Sequence, residues 1–240
     1  MSELLAGKAA AHVQSAISIE DNYRYCYLIR MKFDQLVELA GDLPYFDLPL
    51  LIQMIQADRD SVRVQLSRWM KQGRIIGLRR GLYTLAPAYR HATLRPEMLA
   101  NDLHRPSYLS GLWAMGYYDL IPEKVVWYTS VTSRSPCRYE NALGLFVYHH
   151  VSRARFFGYR QTDEAGFFIA EPEKAILDHW HLTEGIWTME RLVEMRYQNL
   201  EQLDAKRLRD YARRMTSPRL SRTAELLLEI AGRKDPEVEL

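Results

Sequence analysis

The sequence predicts an α+β protein in which a small helical unit with a two-stranded ribbon precedes a larger mixed domain. Within residues 27–90, three short segments with apolar residues at helical spacing are followed by two short β-prone segments. Residues 91–240 alternate β-branched or aromatic runs with helical patterns and end in a highly charged helical stretch. Hydrophobic residues make up 48% and charged residues 26% of the 240 residues, an ordinary core-forming composition.

Residues 1–26 are small and polar, and we expect either a loosely attached extension or a strap that reaches another subunit. The start carries Glu3 and Lys8 and has no apolar core of signal-peptide length. The two cysteines, Cys26 and Cys137, are too few for a disulfide scaffold or a cysteine zinc site. No stretch approaches the roughly 18 uncharged apolar residues of a membrane span. The sequence therefore predicts a cytoplasmic protein that does not enter a membrane.

The helices of the first unit are predicted from apolar spacing and capping residues. The first covers residues 33–40 and stops at Gly41, and the second follows Pro49, which suits a first helical position. Asp58 and Asp60 offer caps for the third helix. The predicted buried stripe of that helix is Val62, Leu66, Trp69 and Met70.

Two short β-prone segments, residues 74–78 and 82–85, follow the third helix. Residues 79–81 form the predicted turn between them, because their glycine can take the positive φ that a tight hairpin turn requires. Pro87 closes the unit. Three short helices and then a two-stranded ribbon is the order of a winged helix-turn-helix, a DNA-binding unit, which we place at residues 27–90.

Residues 91–240 are predicted to form a second, α+β domain. A helix is expected to begin at Pro172, and a charged helical end covers residues 188–231 with a break at Ser217-Pro218. The strand candidates are residues 125–132, 143–151 and 167–170.

Positive charge is concentrated in residues 59–80. The whole chain has 32 Lys and Arg against 30 Asp and Glu, a formal net charge of +2, which excludes a uniformly basic nucleic-acid coat. Residues 59–80 alone carry seven basic residues and one acidic residue, Asp60. Basic side chains that neutralise phosphates supply salt-dependent affinity for DNA. The distribution of charge therefore indicates a DNA-binding face on the third helix and the ribbon.

One side of the third helix carries the groups that read DNA bases. With Leu66 at the centre of the buried stripe, steps of about 100° place an apolar side chain, a hydroxyl and a guanidinium on the opposite side. These groups recognise base edges in a major groove. The predicted base contacts are Ser61, Val64, Gln65 and Arg68. The predicted phosphate contacts are Arg59, Lys71, Arg79 and Arg80, and Arg63 suits either role. The alternative is an ordinary solvated amphipathic helix.

The sequence contains no familiar catalytic or metal-binding motif: a Walker A loop, a G-x-S-x-G elbow and an H-E-x-x-H helix are all absent. His179 and His181 are two residues apart on a predicted helix and so lie on different faces. Glu171, Glu173 and Lys174 are similar to the acidic-plus-lysine cluster of a nuclease, but they fit the start of a helix better. We expect no catalytic residues, no metal and no cofactor, and a protein that is not an enzyme.

An ordered series of short motifs over residues 30–185 resembles the AbiEi antitoxin family. The ribbon, with Gly73-Arg74-Ile75-Ile76 and then Arg79-Arg80-Gly81-Leu82-Tyr83-Thr84-Leu85, is similar to that family's N-terminal domain. The motifs that follow are Pro106-Ser107-Tyr108-Leu109-Ser110, Leu120-Ile121-Pro122-Glu123, Thr129-Ser130-Val131-Thr132, Phe146-Val147-Tyr148-His149, Phe156-Phe157-Gly158-Tyr159 and Ala170-Glu171-Pro172-Glu173-Lys174-Ala175-Ile176-Leu177-Asp178.

The resemblance implies an antitoxin and regulator of a bacterial type IV, abortive-infection toxin–antitoxin pair. Such a protein represses its own operon by binding double-stranded operator DNA, expected to be an inverted repeat, which a homodimer would suit. It also opposes a nucleotidyltransferase-like toxin, and in this family it is thought to need no stable complex with that toxin. Residues 1–26 have no counterpart in the family, and the second helix, near Pro44 and Pro49, is less regular.

Two other functions stay open at the level of the sequence. One is a nucleic-acid-processing enzyme that uses the winged helix only to dock on DNA. The other is a protein-interaction module whose winged helix has lost DNA binding. Metal-independent, salt-sensitive binding to an upstream inverted repeat would favour the repressor over both.

Overall fold

The computed structural model describes residues 31–55, 58–162 and 166–233. The predicted extension at residues 1–26 therefore lies outside the described residues. Within the described ranges, nine α-helices and nine strands in two sheets form a mixed α+β protein, as predicted. The described residues divide into two compact units: the first comprises residues 31–75 and Tyr83–His91, and the second comprises Ile76–Leu82 and residues 92–233.

Three helices and a small sheet open the described chain. In order, they are α1 (Phe33–Ala40), β1 (Phe46–Asp47), α2 (Leu48–Ile55), α3 (Arg59–Lys71), β2 (Ile75–Arg79) and β3 (Leu82–Leu85). The sheet order is β1-β3-β2. The two-residue β1 was not predicted. The Asp47 carboxylate accepts a hydrogen bond from the Leu50 amide at 2.9 Å, which supports the start of α2 one residue before Pro49.

The first strand of the ribbon is displaced by one residue from its predicted position, whereas the second strand covers Leu82–Leu85 as predicted. Arg79, which was predicted in the turn, ends β2, and the turn itself is Arg80-Gly81. Gly81 has a φ of 79°, as expected for a residue without a side chain in a tight turn. The ribbon spans both units, because Ile76–Leu82 belong to the second unit and the residues on either side belong to the first.

The core of the first unit gathers one face from each of its helices. Leu36, Leu51 and Leu66 are fully buried, and Phe33 meets Trp69 edge to face at 5.4 Å between ring centroids. Burial confirms three members of the predicted α3 stripe, but Met70 is 38% exposed and its prediction was wrong. The buried stripe is narrower than the apolar pattern because Met70 lies a further 100° around the helix from Trp69.

Besides the ribbon residues Ile76–Leu82, the second unit contains six strands and six helices among the described residues. Its strands are β4 (Ser107–Leu109), β5 (Tyr128–Thr132), β6 (Cys137–Asn141), β7 (Gly144–His150), β8 (Tyr159–Gln161) and β9 (Phe168–Ala170). Its helices are α4 (Pro96–Leu103), α5 (Gly111–Tyr117), α6 (Pro172–Leu182), α7 (Met189–Glu194), α8 (Ala205–Arg214) and α9 (Pro218–Arg233).

The six strands form one mixed sheet in the order β6-β7-β5-β4-β9-β8. The β5–β7 and β4–β9 pairs are parallel and the other three pairs are antiparallel. Three strands match the predicted candidates, whereas the sequence did not predict β4, β6 or β8. The predicted break in the helical end is present, since α8 stops at Arg214 and α9 restarts at Pro218. A second break was not predicted: residues 195–204 separate α7 from α8 and contain only a short 3-10 turn, Leu200–Gln202.

Candidate nucleic-acid interface

The start of α3 is fixed by its cap. The Asp58 carboxylate accepts hydrogen bonds from the backbone amides of Asp60 at 2.9 Å and Ser61 at 3.0 Å, so the predicted Asp58 cap is present. Hydrogen bonds from the Ser61 side chain and backbone lower the pKa of Asp58 and keep it ionised. The cap sets the register of α3, and the register decides which side chains point away from the core.

The outer face of α3 is open as the periodicity predicted. Ser61, Arg68 and Lys71 are exposed, Val64 is 50% exposed, and Gln65 is half-buried on the flank. The arrangement offers a hydroxyl, an apolar surface, an amide and a guanidinium along one face, which are groups that can contact base edges.

The basic residues of residues 59–80 fall into two groups. Arg63 pairs with Asp60 at 3.7 Å, and the guanidinium of Arg74 lies 4.9 Å from the centroid of the Phe33 ring, which gives Arg74 a packing role. Within the part of the chain that the structure describes, four exposed basic residues make no ion pair: Arg59, Arg68, Lys71 and Arg80.

The two arginines predicted at the ribbon turn differ in their surroundings. Arg80 is exposed, whereas Arg79 is half-buried and its Nη1 donates to the Arg80 carbonyl oxygen at 3.2 Å. The Nε of Arg79 is buried and has no hydrogen-bond partner among the described residues. Nearby in the second unit, Asn141 Nδ2 donates to the Leu78 carbonyl oxygen at 3.0 Å. Arg80 therefore has the better access to a phosphate.

Lys174, the basic member of the nuclease-like cluster noted in the sequence, belongs to a buried network. Its ammonium bonds the Asp178 carboxylate and donates to the Tyr108 hydroxyl at 3.0 Å, and neither charged side chain is exposed. Ser110 Oγ donates to the same carboxylate at 2.8 Å. Burial lowers the pKa of Lys174. A substrate phosphate cannot reach this ammonium from solvent.

The acidic residues beside Lys174 also have structural partners. Glu173 is 1% exposed, and its Oε1 accepts from the backbone amide of Asp204 at 2.7 Å. Arg207 approaches Glu173 at 3.5 Å and Glu171 at 3.6 Å. Sequence reasoning missed the network around Lys174. The i, i+4 spacing of Lys174 and Asp178 is visible in the sequence, but such a pair normally indicates a solvated face and so gave no signal of burial.

The histidines of α6 lie in separate environments. Burial lowers the pKa of His179 to about 4, with a smaller contribution from the Arg191 guanidinium. His181 Nε2 lies 3.3 Å from Arg155 Nη1. Across residues 31–55, 58–162 and 166–233, no three His, Cys, Asp or Glu side chains converge as a set of metal ligands.

No protein-family model matches the chain, and no curated protein matches it. No helix in the described ranges is long and apolar enough to cross a membrane.

Proposed function

We propose that this chain is a DNA-binding transcriptional repressor whose first unit and ribbon act as a winged helix-turn-helix. The order α1-β1-α2-α3-β2-β3 supports the proposal, because it places a capped third helix directly before a hairpin. The single observation that carries it is the outer face of α3. That face combines base-reading groups with cations that have no ion-pair partner among the described residues.

Recognition follows from the dimensions of α3. Its 13 residues give a length of about 20 Å, which fits along a major groove about 12 Å wide. Ser61 and Val64, in the N-terminal half, approach the bases first, and Gln65 and Arg68 extend the contact by one turn. Arg59, Lys71 and Arg80 neutralise phosphates on either side. Specificity then comes from α3 and a large share of the affinity from the cations.

Two copies would read an inverted repeat. Half-sites one helical turn apart, about 34 Å, present the same groove to two symmetry-related recognition helices. We therefore propose a homodimer on operator DNA in the bacterial cytoplasm, where the chromosome is accessible.

The antitoxin role is proposed on the AbiEi resemblance, much of which lies in the second unit. In this proposal the chain opposes a nucleotidyltransferase-like toxin in a type IV pair and represses the operon that encodes both. The fully buried Lys174–Asp178 pair is part of the resembling motif. It supports a structural role for that motif, in line with an antitoxin that performs no chemistry itself.

The repressor proposal is tested by DNA binding of the full chain. Labelled DNA from upstream of the gene is titrated at several salt concentrations, with EDTA present, and followed by fluorescence anisotropy. Arg68→Glu with Lys71→Glu should abolish binding, because it replaces two contacts with two repulsions. The matched control is Lys206→Glu with Arg222→Glu, which reverses two exposed charges in the second unit. Equal affinity of both variants would contradict the proposal.

The antitoxin role has a separate readout. Cells that express the toxin from the neighbouring gene should resume growth when the chain is co-expressed, including the Arg68→Glu, Lys71→Glu variant. Absence of rescue by a folded chain would overturn the antitoxin role and leave DNA binding intact. Cleavage of DNA that requires Mg²⁺ would instead indicate a nucleic-acid-processing enzyme.

A further inference from the structure

A cleft of about 470 Å³ lies in the second unit, beside α4 and the β8–β9 edge of the sheet. This volume falls within the range of small-molecule sites, about 300–1,000 Å³. None of its residues belongs to the proposed DNA-binding face. The lining residues that matter are Asn101, Arg105, Ser107, Phe156, Tyr159 and Phe168.

Aromatic rings form the apolar surface of the cleft. Tyr159 is 38% and Phe168 is 40% exposed, so part of each ring is open to a ligand. The Tyr159 ring stacks on the buried ring of Tyr108, with 4.6 Å between centroids and an interplanar angle of 13°. The Phe168 ring lies 6.0 Å from the Tyr159 ring, centroid to centroid, at an interplanar angle of 82°. Phe156 lies 5.2 Å from Tyr159. The rings therefore form a fixed corner against which a planar group can pack.

The side chain of Asn101 holds the backbone of Phe168 in place. Asn101 Oδ1 accepts from the Phe168 amide at 2.6 Å, and Asn101 Nδ2 donates to the Phe168 carbonyl oxygen at 3.2 Å. One side-chain amide thus completes the hydrogen bonding of this strand residue in the way that a neighbouring strand would. The site is consequently preorganised, since no strand rearrangement is needed to present the ring.

One polar atom of the cleft lacks the partner that its burial demands. Ser107 is 7% exposed, and its Oγ has no hydrogen-bond partner among the described residues. Buried hydroxyl groups are normally hydrogen-bonded, because losing water without replacement is unfavourable. Ser107 lines the cleft. Its Oγ is covered from solvent, so a ligand atom in the cleft can supply the missing bond once the side chain rotates to another staggered position.

A cation stands at the rim. Arg105 donates through Nε to Asp102 Oδ1 at 2.7 Å, and its Nη2 bonds the same carboxylate. This leaves Nη1 without a hydrogen bond to any described residue, on a side chain that is 73% exposed. An orientated guanidinium with a vacant N–H edge is suited to an anionic oxygen such as that of a phosphate.

We propose that this cleft binds a nucleotide. The base packs in the corner of Tyr159 and Phe168, Ser107 Oγ hydrogen-bonds to the base or sugar, and Arg105 faces the phosphate. Aromatic stacking with one hydrogen bond and one guanidinium is the usual chemistry by which proteins hold an unpaired nucleotide. The nucleotide is either a free mononucleotide or one unstacked residue of a single strand. The proposal is independent of DNA binding by α3.

The test uses the fluorescence of 2-aminopurine, which falls when the base stacks on an aromatic ring. The full-length chain carries Arg68→Glu and Lys71→Glu, so that α3 does not contribute. It is titrated with 2-aminopurine riboside 5′-monophosphate and with a short single-stranded oligonucleotide that contains 2-aminopurine. Saturable quenching is expected, and Phe168→Ala should weaken it about tenfold, the loss of one base–aromatic stack. Phe168→Tyr should retain binding, and Ser107→Ala should weaken it.

The matched control is Tyr117→Ala, which removes another exposed ring, 48% exposed, that does not line the cleft. Its quenching should equal that of the parent, and thermal unfolding checks that every variant is folded. Quenching of the monophosphate identifies a free nucleotide as ligand, and quenching of the oligonucleotide alone identifies a strand. Absence of saturable quenching with both probes, or equal weakening by Phe168→Ala and Tyr117→Ala, would overturn the proposal.

Discussion

Replacing Arg68 with alanine tests whether this side chain contacts a base or a phosphate in the proposed complex. Arg68 is exposed on α3 and makes no side-chain hydrogen bond or ion pair to a described residue, so Arg68→Ala should change the free energy of unfolding by no more than about 0.5 kcal/mol. The cost should therefore appear only in the complex. A bidentate arginine–guanine contact contributes about 1–3 kcal/mol of discrimination. At about 1.4 kcal/mol per tenfold, the operator affinity should fall roughly 5- to 150-fold.

The assay compares operator DNA with a scrambled duplex of the same composition at a single salt concentration. Arg68→Ala should weaken operator binding by the stated factor and scrambled binding much less, which narrows the specificity ratio. Arg222→Ala removes an exposed arginine from α9 and should leave both affinities unchanged. If both DNAs lose affinity equally, Arg68 contacts a phosphate and its assignment to a base is wrong.

Arg80→Ala should reduce the slope of log affinity against log salt by about 0.9 on every sequence, because one phosphate contact is lost; an unchanged slope would exclude Arg80 from the interface. Lys174→Met should lower the free energy of unfolding by about 3–5 kcal/mol in urea denaturation, because it leaves the Asp178 carboxylate buried without its ammonium partner. Adding Asp178→Asn should recover much of that loss, because it removes the unpaired charge and keeps an oxygen that accepts from Tyr108 and Ser110; no recovery would contradict this account. The pKa of His179 is about 4 in the folded chain and about 6.5 when unfolded, so the unfolded state binds the extra proton between these values. Stability should therefore fall by up to about 3 kcal/mol as the pH drops from 6.5 to 4, and His179→Gln should flatten that part of the profile.

The helices of the first unit were predictable because each depends on local signals. Asp58 caps α3 as expected, and the spacing of Val62, Leu66 and Trp69 fixed the face that turns inward. The strand β1 was not predictable from two residues, since so short a segment shows no alternation and forms only by pairing in the sheet. The same reason applies to β4 and β8, which have three residues each.

Long-range partners of charged residues lay beyond sequence reasoning. A lysine and an aspartate one turn apart on a helix normally indicate a solvated face. In α6 they are buried, because Tyr108 and Ser110, about 70 residues earlier in the chain, supply the hydroxyl groups that complete their hydrogen bonding. The corner of Tyr159 and Phe168 was equally hidden, since the two rings lie in separate strands whose pairing the sequence does not show.

Contacts within the protein also limit how many basic side chains of the proposed interface are available to neutralise phosphates. Seven basic residues in residues 59–80 would give a salt slope of about −6 if each neutralised one phosphate. The structure engages three of them: Arg63 with Asp60, Arg74 with Phe33, and Arg79 with the Arg80 carbonyl oxygen. Of the other four, Arg68 is assigned to a base, and the phosphate contacts are Arg59, Lys71 and Arg80. We therefore expect a slope of about −3 per bound chain. A measured slope near −6 would mean that the partners of Arg63, Arg74 and Arg79 release them on DNA, which would refute the division of these side chains into packed and available groups.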